Sequence, residues 1–292
     1  MSSSTRHREL GRGERILPGV WRLRLPLPWP GIPHCNAWAV AAGDGVVLFD
    51  CGLHEPGSLD QLKRAMAQCD LALEQVRLLV CTHAHNDHCG QAAAVQERSG
   101  CELWIHPRHE HFTAKNAPLD VARELVEGVS VESDVGAWEV HETPGHAPSH
   151  VVLHQPAQRL LLSGDHVLGR TSLYFDHGWT PDPVAEFLAS LEAVERLDVR
   201  LTLAGHGRPF TDLRGHVAAC RERVRERLET VAAALGNGDV TAPELLPAVY
   251  GELAVPEMEA WLLTKLNCYL DHLGRQGRAQ RVDSEPVRWT AA

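Results

Sequence analysis

Short apolar runs alternate along the chain with longer stretches in which apolar residues recur every three or four positions. Short runs bounded by glycine, proline or polar residues are typical of buried strands, and the wider periodicity is typical of amphipathic helices. The pattern therefore predicts an alternating α/β core. Strands are expected over Gly19–Leu25, Asn36–Val40, Val46–Gly52, Val76–Cys81, Glu102–His106, Ala137–Glu142, Val151–His154 and Leu160–Ser163, and helices over Glu55–Gln68, Gly90–Glu97 and Val184–Leu197.

The pattern changes after Phe210. Leu213–Leu235 predicts one long helix, in which Arg221–Arg227 alternates positive and negative residues and is expected to face solvent. The rest predicts two shorter helices and a polar hairpin, over Ala242–Gly251, Pro256–Leu273 and Ala279–Trp289.

The segment Leu25–Gly43 contains no charged residue, but four prolines interrupt it and exclude a membrane-spanning helix. It predicts a proline-stiffened loop between two strands, with Trp29 near the tip. Trp29 is a candidate hydrophobic wall for a substrate, and simple coverage of its own loop is an equally good interpretation.

The most informative segment is Thr82–Gly90, which reads Thr-His-Ala-His-Asn-Asp-His-Cys-Gly at a predicted strand–helix junction. In an extended backbone alternate residues point the same way, so His83 and His85 can converge on one ion. Asp87 and His88 lie where the helix begins and can reach a second ion. Imidazole and carboxylate groups are ligands of zinc and its neighbours, so this segment predicts metal binding.

His-x-His-x-Asp-His followed by glycine resembles the signature of the metallo-β-lactamase superfamily. Three further motifs of that family occur in its order. Thr143–His146 reads Thr-Pro-Gly-His, Arg159–Asp165 is an apolar strand ending in Gly-Asp, and Leu201–Gly207 is a strand followed by Gly-His-Gly.

The resemblance implies a binuclear centre with two Zn²⁺ ions per chain, with iron or manganese as alternatives. A hydroxide bridging the two ions would be the nucleophile, because metal ions lower the pKa of water to near neutrality. Asp87 would also carry a proton to the leaving group. The implied ligands are His83, His85 and His146 for one ion, Asp87, His88 and His206 for the other, and Asp165 as the bridge.

The implied fold is a four-layer αββα sandwich with a C-terminal appendage. We expect a disordered N-terminal tail over residues 1–14, a catalytic domain over 15–212 and a helical domain over 213–292. Helices followed by a small hairpin resemble the winged-helix appendage of one branch of the superfamily. That branch includes an animal mitochondrial endoribonuclease and fungal thioesterases acting on carrier-bound polyketides.

Other residues near the ligand motifs are expected to have supporting or purely structural roles. In the family an aspartate at the position of Asp50 braces the ligand loop. His150 and His166 are candidates for contacts behind the metal ligands. Cys89 is expected to pack under the helix start, and His106, His109 and His111 are interpreted as surface residues.

Composition and net charge limit the classes of protein to which the chain can belong. The 292 residues suffice for a large core. The N-terminus is polar and lacks the apolar run of a signal peptide, and the eight cysteines are scattered along the chain. Reduced thiols in a cytoplasmic protein are therefore expected. Nuclease activity requires a basic surface, whereas net charge is −10 and residues 213–292 hold ten Arg or Lys against eleven Asp or Glu. A net charge does not exclude a local basic patch, so a nucleic-acid partner is disfavoured but left open.

The loop Gly169–Trp179 follows the predicted bridging aspartate and is expected to line the substrate pocket. Tyr174 could donate to a carbonyl oxyanion, while apolar neighbours favour an acyl group. The favoured activity is hydrolysis of a thioester or ester, lactones included, of a small to medium acyl group. The alternatives are a single-strand-specific endoribonuclease and a mononuclear iron sulfur dioxygenase. No membrane partner is expected, and a homodimer is left open. The candidate acyl contacts in the loop are Leu173, Phe175 and Trp179.

Overall fold

The computed structural model describes residues 10–29, 31–110, 119–236 and 238–292. The chain divides into two compact units. The sandwich unit comprises Met1–Glu142, Ser149–Arg170 and Leu197–Leu213. The C-terminal unit comprises Thr143–Pro148, Thr171–Arg196 and Arg214–Ala292. Across the described ranges no helix combines the length and the apolarity needed to cross a membrane.

Seven strands form the first sheet of the sandwich unit, in the order in which they occur along the chain. The first four are antiparallel neighbours, and the fourth to seventh pair in parallel. Antiparallel strands need only tight turns, and Gly43–Asp44 supplies the predicted one. The strands are β1 (Arg12–Leu17), β2 (Val20–Trp29), β3 (Ile32–Ala42), β4 (Gly45–Phe49), β5 (Val76–Val80), β6 (Glu102–Ile105) and β7 (Arg123–Glu124).

Five strands form the second sheet, in the order β12-β11-β10-β9-β8. Only β11 and β12 pair in parallel within it. Both sheets thus contain a parallel pair whose carboxyl ends lie side by side, a common location for binding sites. The strands are β8 (Ser130–Val131), β9 (Trp138–Glu142), β10 (Val151–Gln155), β11 (Leu160–Gly164) and β12 (Leu201–Ala204).

Two apolar layers hold the sandwich unit together. The inner layer lies between the sheets, where Phe49 of the first and Trp138 of the second place their ring centroids 5.6 Å apart. The outer layer packs Leu62 and Met66 against the other face of the first sheet. The helices on that face are α1 (Ser58–Ala67), α2 (Asn86–Cys89) and α3 (Ala92–Ser99).

The C-terminal unit packs four helices and a hairpin around aromatic side chains. The Phe175 ring lies 5.3 Å from that of Phe187 and 5.6 Å from that of Tyr269. His272 Nδ1 donates a hydrogen bond to Asp182 Oδ2 at 2.9 Å. The elements are α4 (Pro183–Glu195), α5 (Leu213–Leu235), α6 (Ala242–Tyr250), α7 (Glu259–Arg275), β13 (Ala279–Val282) and β14 (Arg288–Ala291), the last two paired antiparallel.

The C-terminal unit contains Arg214–Ala292, and two earlier segments group with it. Thr143–Pro148 and Thr171–Arg196 were expected to be part of the catalytic domain. The aromatic contacts of Phe175 and Phe187 account for the second of these segments, because they join the loop and α4 to α7. The helices and hairpin fit the expected pattern, and the winged-helix assignment stays a prediction.

The predicted disordered tail over residues 1–14 requires correction, because β1 begins at Arg12. Two glycines allow this edge strand to lie directly on α1. The Gly11 N–H donates to Gln61 Oε1 at 2.7 Å. A Cβ on Gly13 would lie 2.0 Å from the Ala65 carbonyl oxygen. Residues 1–9 lie outside the described residues.

The proline-rich loop expected after Leu25 is also corrected, because strand pairing continues through it. Pro26 pairs with His34 and Trp29 with Ile32, with a shift of register between the two pairs. An irregular register tolerates proline, which has no N–H to donate to the ladder. Trp29 therefore lies at the end of a long hairpin, partly buried against the outer apolar layer.

Candidate metal centre

The ligand loop follows β5 and runs into the single turn of α2, as the sequence predicted. His83 and His88 have no exposed surface. Backbone and hydroxyl contacts fix the loop, since Ala84 N–H donates to Ser149 Oγ at 3.1 Å and Val151 N–H donates to the Thr82 carbonyl at 2.8 Å. The second sheet thus supports a loop that originates in the first.

Asp50, at the carboxyl end of the neighbouring strand β4, orients this loop. One carboxylate oxygen accepts from the Thr82 N–H at 2.8 Å, and the other accepts from His88 Nδ1 at 2.8 Å. A carboxylate only accepts, so His88 Nδ1 carries a proton and Nε2 is the nitrogen that can bind a metal ion in place of its own proton. The predicted bracing role of Asp50 is confirmed.

Replacing Asp50 by asparagine tests this orientation. Asp50 has φ 60°, a left-handed conformation that asparagine adopts readily, so the backbone is expected to persist. The amide cannot accept from both Thr82 and His88, and we expect retained metal to bind about 10–100-fold more weakly. Competition with a chelating dye measures the affinity.

Asp70→Asn is the matched control, because Asp70 has φ 56° and an exposed side chain. It should bind metal as the unmodified chain does. Equal affinity in the Asp50→Asn protein would show that Asp50 does not orient a ligand.

The second sheet contributes Asp165 and His206 from the ends of its parallel pair, β11 and β12. Gly164 has φ 47° and precedes Asp165. A Cβ there would lie 2.7 Å from His150 Nε2, which the Asp165 N–H approaches at 3.1 Å. His150 therefore supports the backbone of the predicted bridging residue, in agreement with its expected position behind the ligands.

Residues of β2 and β3 that the sequence did not single out position His206. Asn36 Nδ2 donates to the Ala204 carbonyl at 2.8 Å and to the Gly207 carbonyl at 3.0 Å. Arg22, which is almost fully buried, also donates to the Gly207 carbonyl. An arginine and an asparagine within mostly apolar strands were the available signal, because such groups require partners once they are buried.

The ligand atoms of the sandwich unit converge. His88 Nε2 lies 3.5 Å from both Asp87 Oδ2 and Asp165 Oδ1, and His206 Nε2 lies 3.3 Å from Asp87 Oδ2 and 3.1 Å from Asp165 Oδ2. The ring centroids of His83 and His85 are 4.6 Å apart. Two groups with ligand atoms within 4.8 Å of one another can hold a metal ion, namely His83, His88 and Asp165, and Asp87, His88 and His206.

The electrostatics of these residues suit a cation. Burial lowers the pKa of His206, but attraction from Asp165 and Asp87 raises it to about 10. Burial likewise opposes a charged His88, yet the surrounding carboxylates raise its pKa well above the usual value. A site that stabilises protons on imidazoles so strongly also stabilises a metal cation that displaces them.

Two geometric observations support a metal in this space. His88 Nε2 is buried and has no hydrogen-bond partner among the described residues. A Cβ on Gly205 would lie 2.2 Å from Asp165 Oδ1 and 2.8 Å from His88 Cε1. Glycine at this position therefore keeps the space between the ligand side chains clear, and the residues fit a bound metal.

His146 and Tyr174 lie in the C-terminal unit. His146 Nδ1 lies 3.1 Å from the Tyr174 carbonyl oxygen, which can only accept, so His146 Nε2 presents the lone pair. Burial, followed by Asp176, raises the pKa of the Tyr174 phenol, which therefore keeps its proton. The ligand role of His146 and the donor role of Tyr174 stay predictions.

The predicted acyl contacts differ widely in exposure. Phe175 is fully buried among aromatic rings, Leu173 is half-buried, and Trp179 is 57% exposed. A side chain without exposed surface shapes a pocket only from behind, which gives Phe175 a packing role. The assignment of Leu173 and Trp179 to a substrate pocket stays a prediction.

Cys89 and His106 are both buried in the structure. Cys89 is buried with Sγ donating to the Ala84 carbonyl at 3.2 Å, which agrees with the expected packing role. His106 was interpreted as a surface residue, but it is 5% exposed and its Nε2 lies 3.6 Å from Glu142 Oε1. The tertiary fold brings that carboxylate close from a distant strand. His111 lies outside the described residues.

Known proteins resemble this chain in sequence. The sequence profile of the metallo-beta-lactamase superfamily matches residues 30–206. A probable metallo-hydrolase of Bacillus subtilis, YqjP, is 25% identical over 79% of this chain and 86% of its own length. An atrochrysone carboxyl ACP thioesterase of Aspergillus chevalieri is 26% identical over 84% of this chain and 76% of its own.

Solved structures show the same fold. A metallo-beta-lactamase family protein from Thermus thermophilus superposes with a TM-score of 0.85 at 23% identity, covering 95% of this chain and all of that one. A beta-lactamase domain protein from Burkholderia ambifaria gives 0.83 at 26% identity, covering 95% and 94%.

The two-sheet fold and the imidazole–carboxylate cluster at its strand ends define a metal-dependent hydrolase. The chain belongs to the metallo-β-lactamase superfamily. Both the predicted α/β sandwich class and the predicted hydrolase class are confirmed.

Proposed function

We propose that this hydrolase cleaves the thioester or ester of a small to medium acyl group with the help of two divalent ions, of which Zn²⁺ is the first choice. The observation that carries the proposal is the buried cluster of histidines and aspartates at the strand ends. The thioester is favoured because the relative from Aspergillus chevalieri, named as a thioesterase, matches 84% of this chain.

In this proposal the ligand set follows the sequence prediction. Bound divalent ions supply hydroxide at neutral pH and polarise the carbonyl oxygen. The proposed ligands are His83, His85 and His146 for one ion, Asp87, His88 and His206 for the other, and Asp165 for both.

The protein's own residues orient the reacting groups and move a proton. Hydrolysis joins the hydroxyl group of water to the acyl carbon, breaks the C–S or C–O bond, and delivers the remaining proton to the leaving sulfur or oxygen. Asp87 is proposed to carry that proton. The buried Asp50 and Asn36 keep His88 and His206 fixed during this transfer, so that little reorganisation is required.

The substrate loop supplies the remaining proposed contacts. Tyr174 keeps its phenolic proton and can donate it in a hydrogen bond to the carbonyl oxygen as negative charge develops there. Leu173, Trp179 and, from the β2–β3 hairpin, Trp29 are proposed to contact the acyl chain, with Phe175 packed behind them.

Charge pairing on α5 favours a carbonyl substrate over a phosphodiester. Arg225 lies 2.5 Å from Glu222, Arg223 lies 3.2 Å from Glu226, and Arg278 lies 2.8 Å from Glu229. Neighbouring carboxylates offset these cations, whereas phosphate binding needs cations with an unbalanced positive field.

Salt dependence distinguishes the two chemistries. We expect turnover of a medium-chain or aromatic acyl thioester by the zinc-loaded protein to change little between low and physiological salt, because an apolar acyl group releases no counterions. Cleavage of single-stranded RNA should be weak and should fall with salt by roughly 0.7 log units per log of salt for each phosphate contact. Initial rates on both substrates, with lactones and a chromogenic cephalosporin in the panel, provide the measurement.

Omission of the metal from the same assays is the control, and it should abolish turnover. Efficient cleavage of RNA with no turnover of any thioester, ester or lactone would replace the proposal by a nuclease. One iron per chain with no hydrolysis would replace it by an oxygenase.

A further inference from the structure

A second group of potential metal ligands lies on the opposite face of the second sheet from the inter-sheet core. Trp138 and Val140 of β9 belong to the inner apolar layer. Because side chains alternate along a strand, Glu139 and His141 lie on the other face. His154 of β10 pairs directly with Glu139, so all three side chains share that outer face.

His141 has a fixed tautomer. Its Nδ1 lies 3.0 Å from Glu127 Oε1, and since a carboxylate only accepts, Nδ1 carries the hydrogen. Its Nε2 then presents a lone pair. That nitrogen is buried and has no hydrogen-bond partner among the residues that the structure describes.

His154 is fixed in the same manner but through its other nitrogen. Its Nε2 lies 3.1 Å from the Asp198 carbonyl oxygen and therefore donates. The lone pair of the neutral ring is on Nδ1, which lies 4.0 Å from Glu139 Oε2. The ring is almost fully buried, so it cannot easily turn away from the carboxylate.

A lone pair that faces a carboxylate at this distance is repelled by it, and a metal cation between the two atoms would convert this repulsion into attraction. A separation of 4.0 Å is too long for a hydrogen bond. Two ligand atoms on one tetrahedral zinc ion lie about 3.4 Å apart when each bond to the ion is about 2.1 Å. A small movement of the Glu139 side chain towards His154 would therefore bring both atoms to coordination distance. Ligand atoms of Glu139, His141 and His154 already lie within 4.8 Å of one another.

We propose that Glu139, His141 and His154 form a further site for a divalent transition-metal cation, Zn²⁺ above all. In metal sites the second nitrogen of a ligating histidine commonly donates to a carboxylate or a backbone carbonyl, and Glu127 and Asp198 provide these two partners. The ion joins β9 to β10 and retains one coordination position for water, because Glu139 is exposed. None of these residues belongs to the proposed hydrolytic centre.

Zinc binding to the full-length chain tests the site. Metal-free protein and its His141→Ala variant are dialysed against buffers of defined free Zn²⁺, and bound zinc is measured by plasma mass spectrometry. We expect the variant to bind one equivalent fewer at saturation, with hydrolysis by the zinc-loaded protein unchanged. The difference between the two proteins is independent of how many ions the hydrolytic centre holds.

Two further variants make the result decisive. Glu139→Gln removes the exposed ligand without disturbing the buried ring and should lose the same equivalent. His177→Ala is the matched control, since His177 also pairs with a carboxylate, at 2.9 Å from Asp271, and is 37% exposed. Equal zinc content in the unmodified, His141→Ala and Glu139→Gln proteins would overturn the site, and so would an equal loss in His177→Ala.

Discussion

Replacing Asp165 by alanine is expected to lower hydrolysis by about 100-fold or more, because the side chain faces both His88 and His206 and is the proposed shared ligand. The same variant should lose at least one metal equivalent, because among the described residues Asp87 would then supply the one carboxylate near the Nε2 atoms of both His88 and His206. Rates on the best substrate and metal content by plasma mass spectrometry are measured on the same preparation.

Asp44→Ala is the control for this prediction. Asp44 is exposed and pairs with Arg77 at 2.7 Å, so its removal changes the net charge equally without touching the cluster. We expect its rate and metal content to match those of the unmodified chain. Full activity with full metal content in the Asp165→Ala protein would exclude Asp165 from the centre.

The second large effect is expected from Gly205→Ala, which removes no functional group. The added Cβ would lie 2.2 Å from Asp165 Oδ1 and 2.8 Å from His88 Cε1, so the ligand side chains must move apart. A displacement of about 1 Å can cost 100-fold in rate. We therefore expect loss of activity and weaker metal retention, while circular dichroism retains the spectrum of the folded chain.

Gly238→Ala is the matched control, since a Cβ there meets no atom within 4 Å. It should leave rate and metal content unchanged. A Gly205→Ala protein that binds metal and turns over substrate normally would show that the cluster tolerates an added methyl group, and the proposed ligand geometry would then be wrong.

The sequence predicted most of the elements because their patterns are local. The apolar run before Thr82 and the helix after it form as expected, and the long helix Leu213–Leu235 has the bounds that its periodicity indicated. Errors occur where long-range contacts determine the conformation. The strand at Arg12 depends on glycines packed against α1, and the pairing of Trp29 with Ile32 depends on the length of the β2–β3 hairpin.

The ligand motifs were also readable from the sequence, since each places a histidine or aspartate shortly after a predicted strand. Their supporting residues were not. Asn36 lies in an apolar strand, and its contacts with the Ala204 and Gly207 carbonyls join positions 168 and 171 residues apart. No local pattern encodes such a contact, because it exists only after the two sheets have packed.

The sequence by itself determined the superfamily, the α/β class and the candidate ligands, because spacing within a strand or turn fixes which side chains can meet. Tertiary structure alone decided the tautomers and the space between the ligands. The proton on His88 Nδ1 is fixed by Asp50, 38 residues away, and the space beside Asp165 is kept clear by Gly205 from the neighbouring strand. The outer group of Glu139, His141 and His154 likewise depends on the pairing of β9 with β10. The register of these two strands places His154 opposite Glu139, and the spacing of residues along one strand does not determine that register.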